Sequence, residues 1–192
     1  MTTEFAPGLL LIIGAIPVPF IRGKARSIYM LALPILGILQ LTTLDPGAFG
    51  IVSTLGFEQI HARIDKLSLL FGYIFYIAAF LGILFAWHNN DRLEQATSLV
   101  YIGAAIGAVF AGDLITLFFY WELAAIAAIF LIWSGRTKRA YRAGFRCLII
   151  YMLSGVLLLT GIGIKAIETG SVAFEHIGLD SPGGIFILLA FG

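Results

Sequence analysis

Six apolar windows, free of charge except for one carboxylate, constrain this chain more than any other feature. They run from Phe5 to Ile21, Ser27 to Leu44, Leu67 to Trp87, Ala96 to Gly112, Leu114 to Trp133 and Cys147 to Ile164. Crossing a hydrocarbon core takes about 20 apolar residues at 1.5 Å each, and roughly 17 to 25 is the working range. Each window is long enough, and a seventh, "GGIFILLAFG", begins at Gly183. The runs are continuously apolar and not alternating, so the helix, not a lipid-spanning β-barrel, satisfies the backbone. The expectation is an all-α, polytopic membrane protein with six complete transmembrane helices and the start of a seventh. Composition agrees: hydrophobic residues are 60% of the 192 and charged residues 12%, about half the charge of an average globular chain.

The charges sit between the windows, and their sign gives an orientation. Arg22, Lys24, Arg26, Arg92, Arg136, Lys138, Arg139, Arg142 and Arg146 fall on one side, against Arg63, Lys66 and Lys165 on the other. Positive loops stay cytoplasmic, which puts the N-terminus outside and the "SGRTKRAYRAGFR" loop inside. A net charge of +1 gives no basic surface for nucleic acid. The N-terminus has no basic region before its apolar stretch and no small-residue cleavage motif after it, so it reads as a retained first span.

Smaller features have structural readings. The outer segment "DPGAFGIVSTLGFEQIHARIDK" mixes β-formers with turn residues and reads as an irregular or short-hairpin loop, with Asp45, Glu58 and Asp65 solvated. Pro17, Pro19 and Pro34 remove backbone donors and can kink a span. Gly103 and Gly107 form a small-residue step that lets span four pack closely on a neighbour. Cys147 is a single cysteine inside a span, which allows no intrachain disulfide. His61, His88 and His176 are too scattered for a metal-ligand set. No phosphate loop and no nucleophile–base pairing is present, so no cofactor and no enzymatic chemistry on a small substrate is expected.

Glu122 is the exception that asks for a function. It lies eight residues into its window, about 12 Å deep, with about 16 Å of helix beyond it to Trp133. A charge near mid-membrane costs about 3 kcal/mol or more, and such residues face a bundle interior or a wet cavity. One reading is a neutral acid hydrogen-bonded for packing. The other is a proton or cation relay: desolvation favours a neutral carboxyl and a nearby cation the charged one, so a moving cation would load and unload it. No Lys or Arg of this chain is expected at that depth, since Arg146 and Lys165 fall at the two ends of span six. Asp113, at the outer end of span five, and Tyr120, beside the acid, are secondary polar candidates; Asp113 can also serve the positive end of the helix dipole.

At "AGDLITLFFYWELAAIAAIFLIW" followed by "RTKRAYRAGFRCLIIYMLSGVLLLTG", the chain resembles the antiporter-like membrane subunits shared by respiratory complex I, membrane-bound hydrogenases and multi-subunit Mrp-type sodium/proton antiporters. "ARIDKLSLLFGYIFYIAAFLGILFA" and "GDLITLFFYWE" resemble the third and fifth spans of the D-type subunit of the Mrp group. The resemblance implies a fold of about fourteen helices with two inverted five-helix repeats, of which residues 1–94 would be leading helices and 95–192 the start of the first repeat of a single membrane domain. It implies that Glu122 pairs with a lysine on the seventh span, which the sequence would reach just beyond "LLAFG", so that a larger subunit or a second chain completes the fold. It also implies a multi-pass plasma-membrane protein whose partners are other subunits of the assembly, the lipid bilayer, protons and monovalent cations. In a complex I-like setting the chain would be a non-redox subunit of an NADH:quinone oxidoreductase. A structural subunit without transport activity is the alternative of another class.

Overall fold

A computed structural model describes residues 6–44, 47–54, 57–88, 91–174 and 181–191, and the side chains at 48–59 and 61 lie outside that description. Asp45 and His176, and the side chains of Glu58 and His61, therefore fall outside the described residues.

The described elements are seven helices and one hairpin. They are α1 (Pro7–Ala15), α2 (Lys24–Thr42), β1 (Gly47–Thr54), β2 (Phe57–Ile64), α3 (Lys66–Phe85), α4 (Arg92–Val109), α5 (Leu114–Ser134), α6 (Lys138–Thr169) and α7 (Pro182–Phe191). Four of them, α2, α3 with its following 3₁₀ turn, α5 and α6, are long and apolar enough to cross a membrane. The chain is a multi-pass helical membrane protein.

The first window differs from its expectation. Among the described residues it is helical over the nine of α1, about 13 Å, and then turns through Ile16–Phe20, with Val18 donating to the Ala15 carbonyl and Phe20 to that of Pro17. Pro17 and Pro19 supply no N–H, so an i to i−4 ladder cannot continue through them. Two tyrosines anchor this short helix. Tyr76 of α3, fully buried, donates to the Pro7 carbonyl at 2.5 Å, and Tyr29 of α2 donates to the Gly14 carbonyl at 3.0 Å.

The basic loop between spans five and six is also shorter than expected. Only residues 135–137 connect the helices, and Lys138–Arg146 open a 32-residue α6. The Thr137 hydroxyl accepts from the Ala140 N–H at 3.0 Å as an N-cap. Lys, Arg and Ala are good helix formers, and charged side chains are no obstacle to a helix that has left the hydrocarbon. At about 48 Å, α6 is longer than the membrane is thick.

The outer segment forms an antiparallel hairpin in register from Gly47↔Ile64 to Thr54↔Phe57. Asp65 then caps α3 in a reciprocal capping box with Ser68.

Small residues decide how the helices meet. The Gly103/Gly107 step of α4 does receive a neighbour at close range: a Cβ on Gly8 of α1 would overlap the backbone of both glycines. The ring of Tyr120 from α5 covers Gly107 from another direction. Two apolar clusters result. One joins α1 to α4 around Leu11, Leu33, Tyr76, Leu99 and Phe110; the other joins α5, α6 and α7 around Leu114, Leu158, Ile162 and Ile187.

Candidate functional site

Asp113 starts α5 and so fixes where Glu122 falls. Its carboxylate accepts from the Thr116 N–H at 2.6 Å as the N-cap, and from the Ile60 N–H of β2 at 2.7 Å. It is fully buried. Its role here is to join the hairpin, the helix start and, through a backbone bridge, Ala173. Two acceptor oxygens with two N–H partners account for the burial of a charge-bearing group.

From that cap, eight residues of helix carry Glu122 about 12 Å along α5. The side chain is half-buried, and its Oε1 is buried without a hydrogen-bond partner among the described residues. The oxygen lies directly on Gly155 of α6, where a Cβ would overlap it. The carboxyl thus occupies the space that any other residue at 155 would fill.

Helix α7 reaches the same level. Ser154, next to Gly155, donates its hydroxyl to the Ala190 carbonyl at 2.7 Å. Trp121, next to Glu122, meets Phe191 edge to face with ring centroids 4.9 Å apart. Three helices therefore converge where the acid sits.

Towards the hairpin end from the acid lies the α5–α7 cluster of Leu158, Ile162, Ile187 and Leu114, with Phe118 packed on it. Beyond that layer lies Lys165. It is inside α6 and buried, at 5% exposure, and its Nζ donates to the Ala173 carbonyl at 2.5 Å. The helix continues one turn past it to Thr169, so the lysine stands near that end of α6 and is covered there. Ten residues separate Lys165 from Gly155, about 15 Å along the axis. Lys165 and Asp113 both hold Ala173, at one end of the bundle, far from the depth of Glu122.

The three positions singled out from the sequence are thus separated. Tyr120 and Glu122 are two apart on one helix and point to different faces: Tyr120 onto Gly107 of α4, Glu122 onto Gly155 of α6. Asp113 is at the cap. Gly155 and Ser154 are the residues that sequence reasoning missed; their only signal is a small pair, "SG", inside an aliphatic run.

Residues 111–191 match the family described as "NADH:quinone oxidoreductase/Mrp antiporter, TM". Among curated proteins, the "Na(+)/H(+) antiporter subunit A1" of Staphylococcus aureus (strain bovine RF122 / ET3-1) is 31% identical over 121 residues, which is 59% of this chain and 15% of that protein. Among solved structures, a chain of the membrane-bound sulfane sulfur reductase, an archaeal respiratory membrane complex, superposes with a TM-score of 0.81 at 20% identity, over 98% of this chain and 33% of that one. A chain of the Mrp complex from Dietzia sp. DQ12-45-1b superposes with a TM-score of 0.80 at 19% identity, over 98% and 23%. The chain spans a minor part of the length of each. At such identities the two superpositions establish a shared fold.

Proposed function

We propose, from the premise that this chain is an antiporter-like membrane subunit, that it carries part of the proton path of a multi-subunit monovalent cation/proton antiporter in the plasma membrane. One observation carries the reading: a single acid near the middle of α5, with one oxygen buried on Gly155 and no donor bonded to it among the described residues. A buried acceptor without a partner costs about 1–3 kcal/mol. A purely packing acid would be expected to hold a donor. An acid that takes and releases a proton, or that answers to a passing cation, must keep an oxygen free for it.

In this reading Glu122 is the relay, six crossings place the N-terminus outside, and residues 95–192 begin the transport repeat. Partners are the other subunits of the assembly. Sodium is the cation named for the S. aureus relative and is the first to test. The spans-three-and-five motifs favour a D-type subunit, whereas that relative is an A-type one. The family description also names NADH:quinone oxidoreductase, and that supports a second reading, a redox-driven pump whose membrane arm uses the same acid.

The test is Glu122→Gln in the assembled complex. Sodium-dependent pH change in vesicles should fall to background while assembly is retained. Normal antiport from a correctly assembled Glu122→Gln complex would sink the proposal, and failure of assembly alone would favour a structural role. Proton movement that depends on NADH oxidation and not on a sodium gradient would select the second reading.

A further inference from the structure

The opening of α6 carries Lys138, Arg139, Arg142 and Arg146. Lys138, Arg142 and Arg146 are spaced four apart and rise in one row on the helix surface, with Arg139 beside it. With Ala143 they line an open groove of about 470 Å³. All four cations are exposed, and none forms a salt bridge among the described residues. The cation just before them, Arg136, does: it meets Asp91 at 2.5 Å and ties the α5–α6 turn to the cap of α4. Like charges four apart on a helix repel, so the row gains from an anion laid along it.

The neighbouring turns of α6 place that anion. Trp133 stacks on Tyr141 with centroids 5.4 Å apart, and Phe145 packs against both. Gly144 leaves the room for the indole. Then Ile149, Ile150 and Leu153 are each more than 60% exposed. Ile150 continues the row of Arg142 and Arg146 by a further turn. Cations interleaved with Trp and Tyr over the first turns, followed by exposed aliphatic side chains, is the sequence of a bilayer interface giving way to its acyl layer.

We propose that this groove is a binding site for an anionic phospholipid, its phosphate held between the Arg139, Arg142 and Arg146 guanidinium groups and its acyl chain lying along Ile150 and Leu153. Guanidinium groups bind phosphate oxygens in pairs. The site is independent of the relay assigned to Glu122 and would exist in an assembly with no antiport activity.

Native mass spectrometry of the full chain, released from detergent with phosphatidylglycerol or phosphatidylcholine at equal concentration, reads the site directly. One phosphatidylglycerol should survive on the unmutated chain and phosphatidylcholine should not. The Arg139→Gln/Arg142→Gln/Arg146→Gln variant should weaken retention by about a hundredfold, while Arg22→Gln/Lys24→Gln should leave it unchanged. Equal retention of the two lipids by the unmutated chain overturns the proposal without any variant. So does undiminished phosphatidylglycerol binding by the triple variant. Displacement of the lipid by millimolar inorganic phosphate would reassign the groove to a free anion.

Discussion

Gly155 and Glu122 are 33 positions apart in sequence and share one space in the fold. A methyl group at 155 has to displace either the carboxyl or the helix that bears it. Overpacking of this kind costs about 1–3 kcal/mol, so Gly155→Ala should lower the thermal midpoint of the full chain in detergent and, in the assembled complex, impair antiport. Gly163→Ala on the same helix is the matched control: nothing lies within 4 Å of its added Cβ, and the substitution should be neutral or slightly stabilising, because glycine weakens a helix interior. At the cap, Asp113→Ala deletes two hydrogen bonds and leaves the Ile60 and Thr116 N–H groups without them. The expected loss is about 2 kcal/mol, and amide exchange at those two residues should accelerate together although they are 56 positions apart. The place of Glu122 within α5 was legible in the sequence because a charge in an apolar run stands out and helix rise converts its position to a distance from the cap. Gly155 was not, because glycine acts here by what it lacks, and only its neighbour across the interface reveals the need. The burial of Lys165 was not legible either: near the end of an apolar window, a cation that is buried and one that is solvated read alike.

Among the elements, α6 and α3 owe their first turns to single side chains. Thr137→Ala removes the cap at Ala140 and should cost about 1 kcal/mol, seen as faster exchange over the opening turn of α6 with the membrane portion unaffected. The cap of α3 is sensitive to acid. The hydrogen bond from the Ser68 backbone N–H holds the Asp65 carboxyl below the usual aspartate range. A depressed carboxyl contributes stability that is present above the unfolded value, about 3.9, and lost as pH falls through the folded one. The protection factor of the Ser68 amide, measured against its intrinsic exchange rate, should therefore fall only below about pH 4 and should be unmoved between pH 5 and 8. The long helices and the hairpin were readable from window length and β-forming residues. The true extent of α6 was not, because apolar windows stop at the first charge whereas a helix stops only at its caps. The early end of α1 is the converse: the apolar window runs on to Ile21, and two prolines spaced two apart end the regular helix at Ala15.

At the scale of the molecule, the ends of the bundle are set apart by chemistry. The Pro19 carbonyl, Asp91, Arg92 and Arg136 meet at one end, and Ile60, Asp113, Lys165 and Ala173 at the other. Cysteine at position 139, in a Cys147→Ser background, should be protected from a membrane-impermeant reagent applied outside intact cells and labelled after permeabilisation. Labelling in intact cells would reverse the orientation. The family resemblance was legible from motif order, and residues 111–191 match the family, whereas the division of the core into an α1–α4 cluster and an α5–α7 cluster was not, since it depends on which small-residue faces find each other. The length of α6 has a mechanical consequence. Gly155 lies 13 residues, about 20 Å, from Arg142 on one continuous helix. Such a rod is a lever: a tilt of about 5° about its basic end carries the seat of the Glu122 carboxyl sideways by nearly 2 Å, more than half the length of a hydrogen bond.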